Sequence, residues 1–354
     1  MSTVNRQITL AARPVGEPKE SDFKLVETEI PTPGPDQFLV QVIYLSVDPY
    51  MRGRMSDRPS YAPPVEIGEV MGGAGIGRII KSNTRRFRVG EIVSGYFGWQ
   101  EYAASGADGI QKINPELAPV STWLGVLGMP GMTAYFGLLE ICHPRAGETL
   151  VVSGAGGAVG AIVGQIAKIE GCRVIGIAGS DEKVEWLTTE LGFDAAFNYK
   201  TSPDIGGKLR ELCPRGIDIY FDNVGGTISD AVLPLINTKA RISVCGQISQ
   251  YNATETGTGP RLTGLLIERQ ARMEGFLVLQ FAEKMKSAQN KMVQWLKAGR
   301  IKFRETRITG IENAPAAFIG MLRGDNVGKQ LVQLADETAP APSSSDGKHA
   351  SASA

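Results

Sequence analysis

The sequence predicts an α/β protein in two parts, a β-rich N-terminal unit and a doubly wound parallel sheet. Three observations carry this. Residues 1–130 are rich in short β-type runs broken by Gly and Pro. From residue 149 onward, apolar strand-like runs alternate with segments of helical spacing. A glycine-rich turn joins the first of those strands to the first helix. A length of 354 residues allows about two domains. The 42% hydrophobic and 21% charged content is that of a chain able to bury a sizeable core.

In order along the chain, the runs at 38–44, 75–80 and 91–96 read as strands of the first unit. Residues 122–139 carry no charge over about the length of a membrane span. Their five glycine and proline residues, and the lack of any similar stretch, make them a core or pocket-lining segment. Strands follow at 149–153, 173–178, 218–222 and 241–245, with helices at 158–170, 181–191 and 227–236. Residues 282–298 read as one long helix, and 304–334 return to strand, helix, strand. The Ala-, Pro- and Ser-rich tail, 337–354, reads as disordered. No internal repeat is present.

Charge and cysteine content exclude several functions. Lys plus Arg and Asp plus Glu are balanced at 37 each, which leaves no basic footprint for nucleic acid and no polybasic membrane anchor. The polar residues 1–14 hold no signal-peptide core, and Cys142, Cys172, Cys213 and Cys245 are spaced for neither a zinc ribbon nor a disulfide framework. Reduced thiols in the cytoplasm are the expectation.

The most informative stretch is Leu150 to Gly160, LVVSGAGGAVG. A buried strand runs into small residues and then a helix, so backbone amides and the helix N-terminus can approach a pyrophosphate. Counted back from Gly160, the fit to G-x-G-x-x-G places Ala155 first and Gly157 second. With strands and a helix correctly placed around it, the motif reads as the dinucleotide site of a Rossmann domain. The second strand ends in Ala178, Gly179 and Ser180, without the acid that binds a ribose 2′-hydroxyl in NAD enzymes. Small residues there leave room for a phosphate, and Lys183 follows one helical turn on, so NADPH is the expected cofactor. Asp181 and Glu182 oppose that reading unless they point away.

Missing groups narrow the reaction. The only histidines are His143, before the first Rossmann strand, and His349, in the tail. The first 141 residues contain neither His nor Cys, so catalytic zinc and a histidine relay are not expected. No Tyr-x-x-x-Lys pair occurs. Residues 324–329 are too short for a P-loop, and Ser180 to Lys183 lies where adenosine should bind. Tyrosine, cofactor hydroxyls and water remain. They suffice to polarise a carbonyl while hydride adds to the β-carbon of a conjugated C=C bond.

Six motifs occur in order: VDPYMR at 47–52, GMPGMTAY at 128–135, GGAVG at 156–160, FDNVGG at 221–226, CGQISQYN at 245–252 and NVGK at 326–329. Together they resemble the zinc-free medium-chain reductases, a group that includes prostaglandin, alkenal double-bond and curcumin reductases. The resemblance covers nearly all of residues 5–335. It implies a GroES-like catalytic domain (1–130 and 304–336) enclosing an NADPH-binding Rossmann domain (131–303). It places Met132 and Thr133 near the nicotinamide, Ala158 and Val159 at the pyrophosphate, and Lys183 at the 2′-phosphate. Tyr199, Asn223 and Asn326 become cofactor contacts, and Cys245, Gly246 and Ser249 flank the nicotinamide half. Tyr50, Tyr61 and Tyr251 are the candidates for the substrate carbonyl. The implied activity is NADPH-dependent reduction of enals and enones by a homodimer. A quinone reductase and a non-catalytic NADPH-binding redox sensor are the alternatives. The loop 252–260 lacks a second aromatic found in some members, and the tail has no counterpart role.

Overall fold

The computed structural model describes residues 4–338. Strands β1 (Val4–Leu10) and β2 (Phe23–Glu29) form an antiparallel hairpin. Strand β3 (Phe38–Ser46) is apolar almost throughout because it lies in the middle of the next sheet. The short helix α1 (Met51–Arg54) follows it. Next come β4 (Gly75–Ser82), β5 (Ile92–Gly95), β6 (Tyr102–Ser105) and β7 (Gln111–Lys112). The uncharged segment then folds as a 3-10 turn and helix α2 (Met129–Phe136), buried as expected. Its glycines permit tight packing: a Cβ on Gly131 would lie 1.8 Å from the Val126 carbonyl oxygen.

The second half contains β8 (Thr149–Ser153), α3 (Gly160–Ile169), β9 (Arg173–Ala178), α4 (Asp181–Thr189), β10 (Ala195–Asn198) and α5 (Ile205–Leu212). It continues through β11 (Ile217–Asp222), α6 (Gly226–Val232), β12 (Ile236–Val244), α7 (Thr263–Arg269), β13 (Arg272–Gly275) and α8 (Met285–Lys297). Strand β14 (Glu305–Thr309), helix α9 (Ala314–Arg323) and strand β15 (Lys329–Gln333) complete the described chain.

The six strands β10-β9-β8-β11-β12-β13 form one parallel sheet in that order. Counted from β8 this is 3-2-1-4-5-6, which reverses direction between β8 and β11 and opens the ligand crevice there. Side chains alternate across the sheet. Leu150 and Val152 pack with Ile162, Val163 and Ile166 of α3, whereas Val151 packs with Leu209 of α5 and Val232 of α6. The predicted α/β class, β-rich unit plus doubly wound parallel sheet, is what forms.

Strands β14 and β15 leave this sheet and join the N-terminal one, in the order β14-β15-β3-β4-β5-β7 with β6 paired to β3. Buried Gln165 of α3 clips the returning chain in place. Its amide donates to the Lys302 carbonyl (2.9 Å) and accepts from the Lys302 N–H (2.7 Å).

Several expected boundaries move. The helix after the glycine turn begins at Gly160, because Ala158 and Val159 belong to the turn. Helix α6 stops at Val232 because Pro234 cannot continue it, and β12 starts at Ile236. The long helix expected from 282 begins at Met285, after a 3-10 stretch with a break at Phe281. The disordered-tail reading falls, from residue 339 on, outside the described residues. Its first residue, Glu337, accepts a hydrogen bond from the Tyr44 hydroxyl (2.5 Å).

Candidate active site

The glycine turn opens at the end of β8. Gly154 takes φ +60°, so it is the tight-turn glycine, one position before the Ala155 counted from the sequence. A Cβ on Gly160 would meet the Gly154 carbonyl oxygen at 2.4 Å, which keeps the start of α3 pressed on the turn. Gly157 forms a parallel bridge with Gly328, and the Gly328 N–H donates to the Gly156 carbonyl (2.9 Å). The segment holding Asn326 is thus docked on the turn. Asn326 itself donates to the Gly328 carbonyl (2.7 Å).

Lys183 is buried, its stem packed on Gly156 and its ammonium donating to the Gly324 carbonyl (2.5 Å). Burial, then the charge of Lys200, pushes its pKa down. Tyr199 folds toward Gly179, with its ring 3.2 Å from where a Gly179 Cβ would stand. The two acids that opposed a phosphate point elsewhere. Asp181 accepts from the Asn198 amide (2.8 Å), and Glu182 faces Arg304 (4.0 Å). Bare backbone at Gly154, Gly156 and Gly157, and a buried lysine with no carboxylate in ion-pair range among the described residues, fit a dinucleotide bearing an extra phosphate.

Past β11, buried Asp222 organises the crevice. One carboxylate oxygen accepts from Ser153 Oγ (2.9 Å), the Tyr220 hydroxyl (2.9 Å) and the N–H groups of Val224 (3.0 Å) and Gly225 (2.9 Å). The other accepts from Ser229 Oγ (2.5 Å). Its backbone carbonyl accepts from the N–H groups of Cys245 (2.8 Å) and Gly246 (3.1 Å). Asn223 donates to the Ser153 carbonyl (2.8 Å), and Ser249 Oγ to the Val224 carbonyl (2.6 Å). Asn223, Cys245, Gly246 and Ser249 therefore lie in one laced unit beside the glycine turn. Met132 is fully buried in the core, and the Thr133 hydroxyl is committed to the Met129 carbonyl (2.8 Å). Burial pushes the Cys245 thiol up to about 12 and the Cys172 and Cys213 thiols up to about 11, which keeps thiolate scarce near neutrality.

The three candidate tyrosines converge. Tyr50 caps α1, and the Arg54 guanidinium lies 6.0 Å from its ring and 4.4 Å from that of Tyr61. The Tyr251 hydroxyl accepts weakly from the Gln247 N–H (3.5 Å), and the ring lies within electrostatic reach of Tyr61. Burial first, and the Asp48 carboxylate next, push the Tyr50 phenol well up; burial also raises Tyr251. The raised phenols of Tyr50 and Tyr251 are therefore protonated donors near neutral pH. Buried Arg52 ties this face to the Tyr251 segment, donating to Asn252 Oδ1 (3.1 Å) and to the Gly16 carbonyl (2.8 Å).

Sequence reasoning missed Tyr96, which interacts with Tyr50, Tyr61 and Arg54 and whose hydroxyl lies against Gly72. It also missed both arginines, although they stand within MRGR at 51–54, on the same short helix as Tyr50. Among the described residues, no group of three or more His, Cys, Asp or Glu side chains could hold a metal ion.

Two family models match the chain, an N-terminal domain of oxidoreductase over residues 6–113 and a zinc-binding dehydrogenase over residues 158–298. The chain is 48% identical to the NADPH-dependent curcumin reductase of Escherichia coli (strain K12), covering 94% of this chain and 98% of that one. It is 42% identical to the NADP(+)-dependent 2-alkenal reductase of Nicotiana tabacum, again covering 94% and 98%. The crystal structure of CurA in complex with NADPH from Vibrio vulnificus superposes with a TM-score of 0.89 at 49% identity, covering 94% of this chain and 99% of that one.

Proposed function

The chain belongs to the NADP-dependent medium-chain dehydrogenase/reductase family, and from that premise we propose that it reduces the conjugated C=C bond of enals and enones with NADPH. The observation that carries this is the pairing of a phosphate-ready glycine turn with a tyrosine cluster that, among the described residues, has neither histidine nor metal-ligand set beside it. NADPH, when bound, supplies the hydride. Gly157, Ala158 and Val159 would hold its pyrophosphate, with Lys183, Tyr199 and Gly179 at the adenosine end. Met132, Thr133, Asn223, Cys245, Gly246, Ser249 and Asn326 would hold the remainder. The protein's part of the chemistry is charge stabilisation. Negative charge grows on the substrate carbonyl oxygen as the β-carbon is reduced, and the hydroxyls of Tyr251, Tyr61 and Tyr50 can donate to it. Tyr251→Phe is therefore expected to lower kcat about tenfold or more and to leave the NADPH Kd within experimental error. Equal loss in both would remove Tyr251 from the reacting centre.

Residues 1–130 and 304–336 serve as the GroES-like catalytic domain and 131–303 as the cofactor domain, in keeping with the strands each contributes to its sheet. A homodimer formed by pairing β13 edges is supported by the terminal position of β13, by an α7 with no buried residue, and by Ile267 (78% exposed) and Leu279 (73% exposed) beside it. Sedimentation of the full chain should give two copies, and a monomer at micromolar concentration contradicts this. A cytoplasmic location fits the four free cysteines, and cell fractionation tests it. No helix among the described residues is long and apolar enough to cross a membrane.

The function is tested by following NADPH oxidation with a 2-alkenal, a dienone such as curcumin, and a simple quinone. Faster turnover of the alkenal and dienone is expected. Turnover of the quinone alone favours a quinone reductase, and binding without turnover of any acceptor favours a redox sensor.

A further inference from the structure

We propose that Lys200 is a second cation of the 2′-phosphate site and that Asn198 arranges the site by seating Lys200 while withdrawing Asp181. The proposal rests on the NADPH reading above and adds to it the residues that select the phosphate. It starts from strand register. Parallel pairing sets Asn198 of β10 beside Ala178 of β9, so Tyr199 and Lys200 lie next to Gly179, Ser180 and Asp181. This is where an NAD enzyme presents its ribose-binding acid. Here that position is Gly179. A Cβ added to it would stand 3.2 Å from the Tyr199 ring and 3.5 Å from Lys200 Cε, so both side chains close over the bare strand end.

Charge makes the arrangement meaningful. Lys183 and Lys200 sit close enough that Lys200 disfavours the charged form of Lys183, second only to burial. Neither lysine has a carboxylate within ion-pair distance among the described residues. Lys183 donates to a carbonyl, and Lys200 donates through its backbone N–H to Asn198. Two like charges held near one another repel, and a dianionic phosphate bound between them would turn that repulsion into two charge-assisted contacts.

Asn198, only 9% exposed, does two things at once. Its amide nitrogen donates to Asp181 Oδ1 (2.8 Å), and its amide oxygen accepts from the Lys200 N–H (3.0 Å). The carboxylate nearest the strand end is thereby turned away by the side chain that fixes the second lysine. Without Asn198, Asp181 is free to swing toward the phosphate and repel it, or toward a bare ribose and favour NADH.

The test is calorimetric binding of 2′,5′-ADP and 5′-AMP to the full chain, without turnover. Lys200→Met is expected to weaken 2′,5′-ADP about tenfold and to leave 5′-AMP unchanged, as Lys183→Met should. Asn198→Ala should also weaken 2′,5′-ADP selectively, and adding Asp181→Asn to it should recover much of the loss. A Lys200→Met chain that binds 2′,5′-ADP as tightly as wild type, or loses both ligands equally, overturns the proposal. A wild-type chain that binds 2′,5′-ADP no tighter than 5′-AMP instead overturns the NADPH reading beneath it.

Discussion

Lys329→Met is expected to destabilise the protein by about 3–5 kcal/mol. Lys329 is 4% exposed and Asp48 is also buried, and their ion pair is 3.0 Å long. The ammonium also donates to the Val47 carbonyl (2.7 Å), and Ser46 Oγ donates to the other Asp48 oxygen. Lys329 opens β15, which pairs antiparallel with β3 through Leu331 opposite Ser46 and Val332 opposite Leu45. The pair therefore stitches the start of β15 to the segment leading into Tyr50, across 281 residues of sequence. Removing the ammonium strands a carboxylate in a dry site, and that uncompensated charge is the main cost. Adding Asp48→Asn should recover a large part of the loss, because the double variant buries no lone charge. Urea unfolding of the two variants measures both effects. A single variant within about 1 kcal/mol of wild type would place the pair in water.

Asp222→Ala is the second large effect expected, again about 3–5 kcal/mol, and here cofactor binding falls with it. Five donors converge on its carboxylate, two of them backbone N–H groups of the turn before α6. Truncation takes the carboxylate acceptor from the Ser153 hydroxyl and leaves the Tyr220 and Ser229 hydroxyls only their bond with each other (3.0 Å) to share in the core. It also frees the 223–226 turn against which Ser249 and the chain before Tyr251 are laced. Asp222→Asn should recover part of the loss, because its amide oxygen can take the four donors gathered on one carboxylate oxygen and its amide nitrogen can donate to Ser229 Oγ. Denaturant midpoint and NADPH Kd should both move. A change in stability with unchanged NADPH affinity would separate Asp222 from the cofactor crevice.

Much of this was legible in the sequence where local pattern and tertiary demand coincide. The runs at 149–153 and 173–178 are strands at those bounds, because an uninterrupted apolar run fits only a strand buried on both faces. The glycine turn was readable because close approach of α3 requires Gly160 whatever surrounds it. Strands β10 and β13 were not legible. They have four residues each, and AAFN and RMEG carry little β signal until neighbouring strands supply their hydrogen bonds. The same limit hid Tyr96 and Asn198. Tyr96 joins the cluster only because β5 delivers it against Gly72, and Asn198 faces Asp181 only through the β9–β10 register. Met129–Phe136 shows the converse. The absence of charge placed it inside the protein, but only the fold shows the Thr133 hydroxyl bound to its own helix.

The most direct test of the central reading follows the hydride itself. An enone is reduced with NADPH carrying deuterium at the transferable C4 position, and the product is examined by NMR. Deuterium at the β-carbon with the carbonyl intact is the predicted result. Deuterium on the carbonyl carbon, with the C=C bond retained as an allylic alcohol, would contradict it.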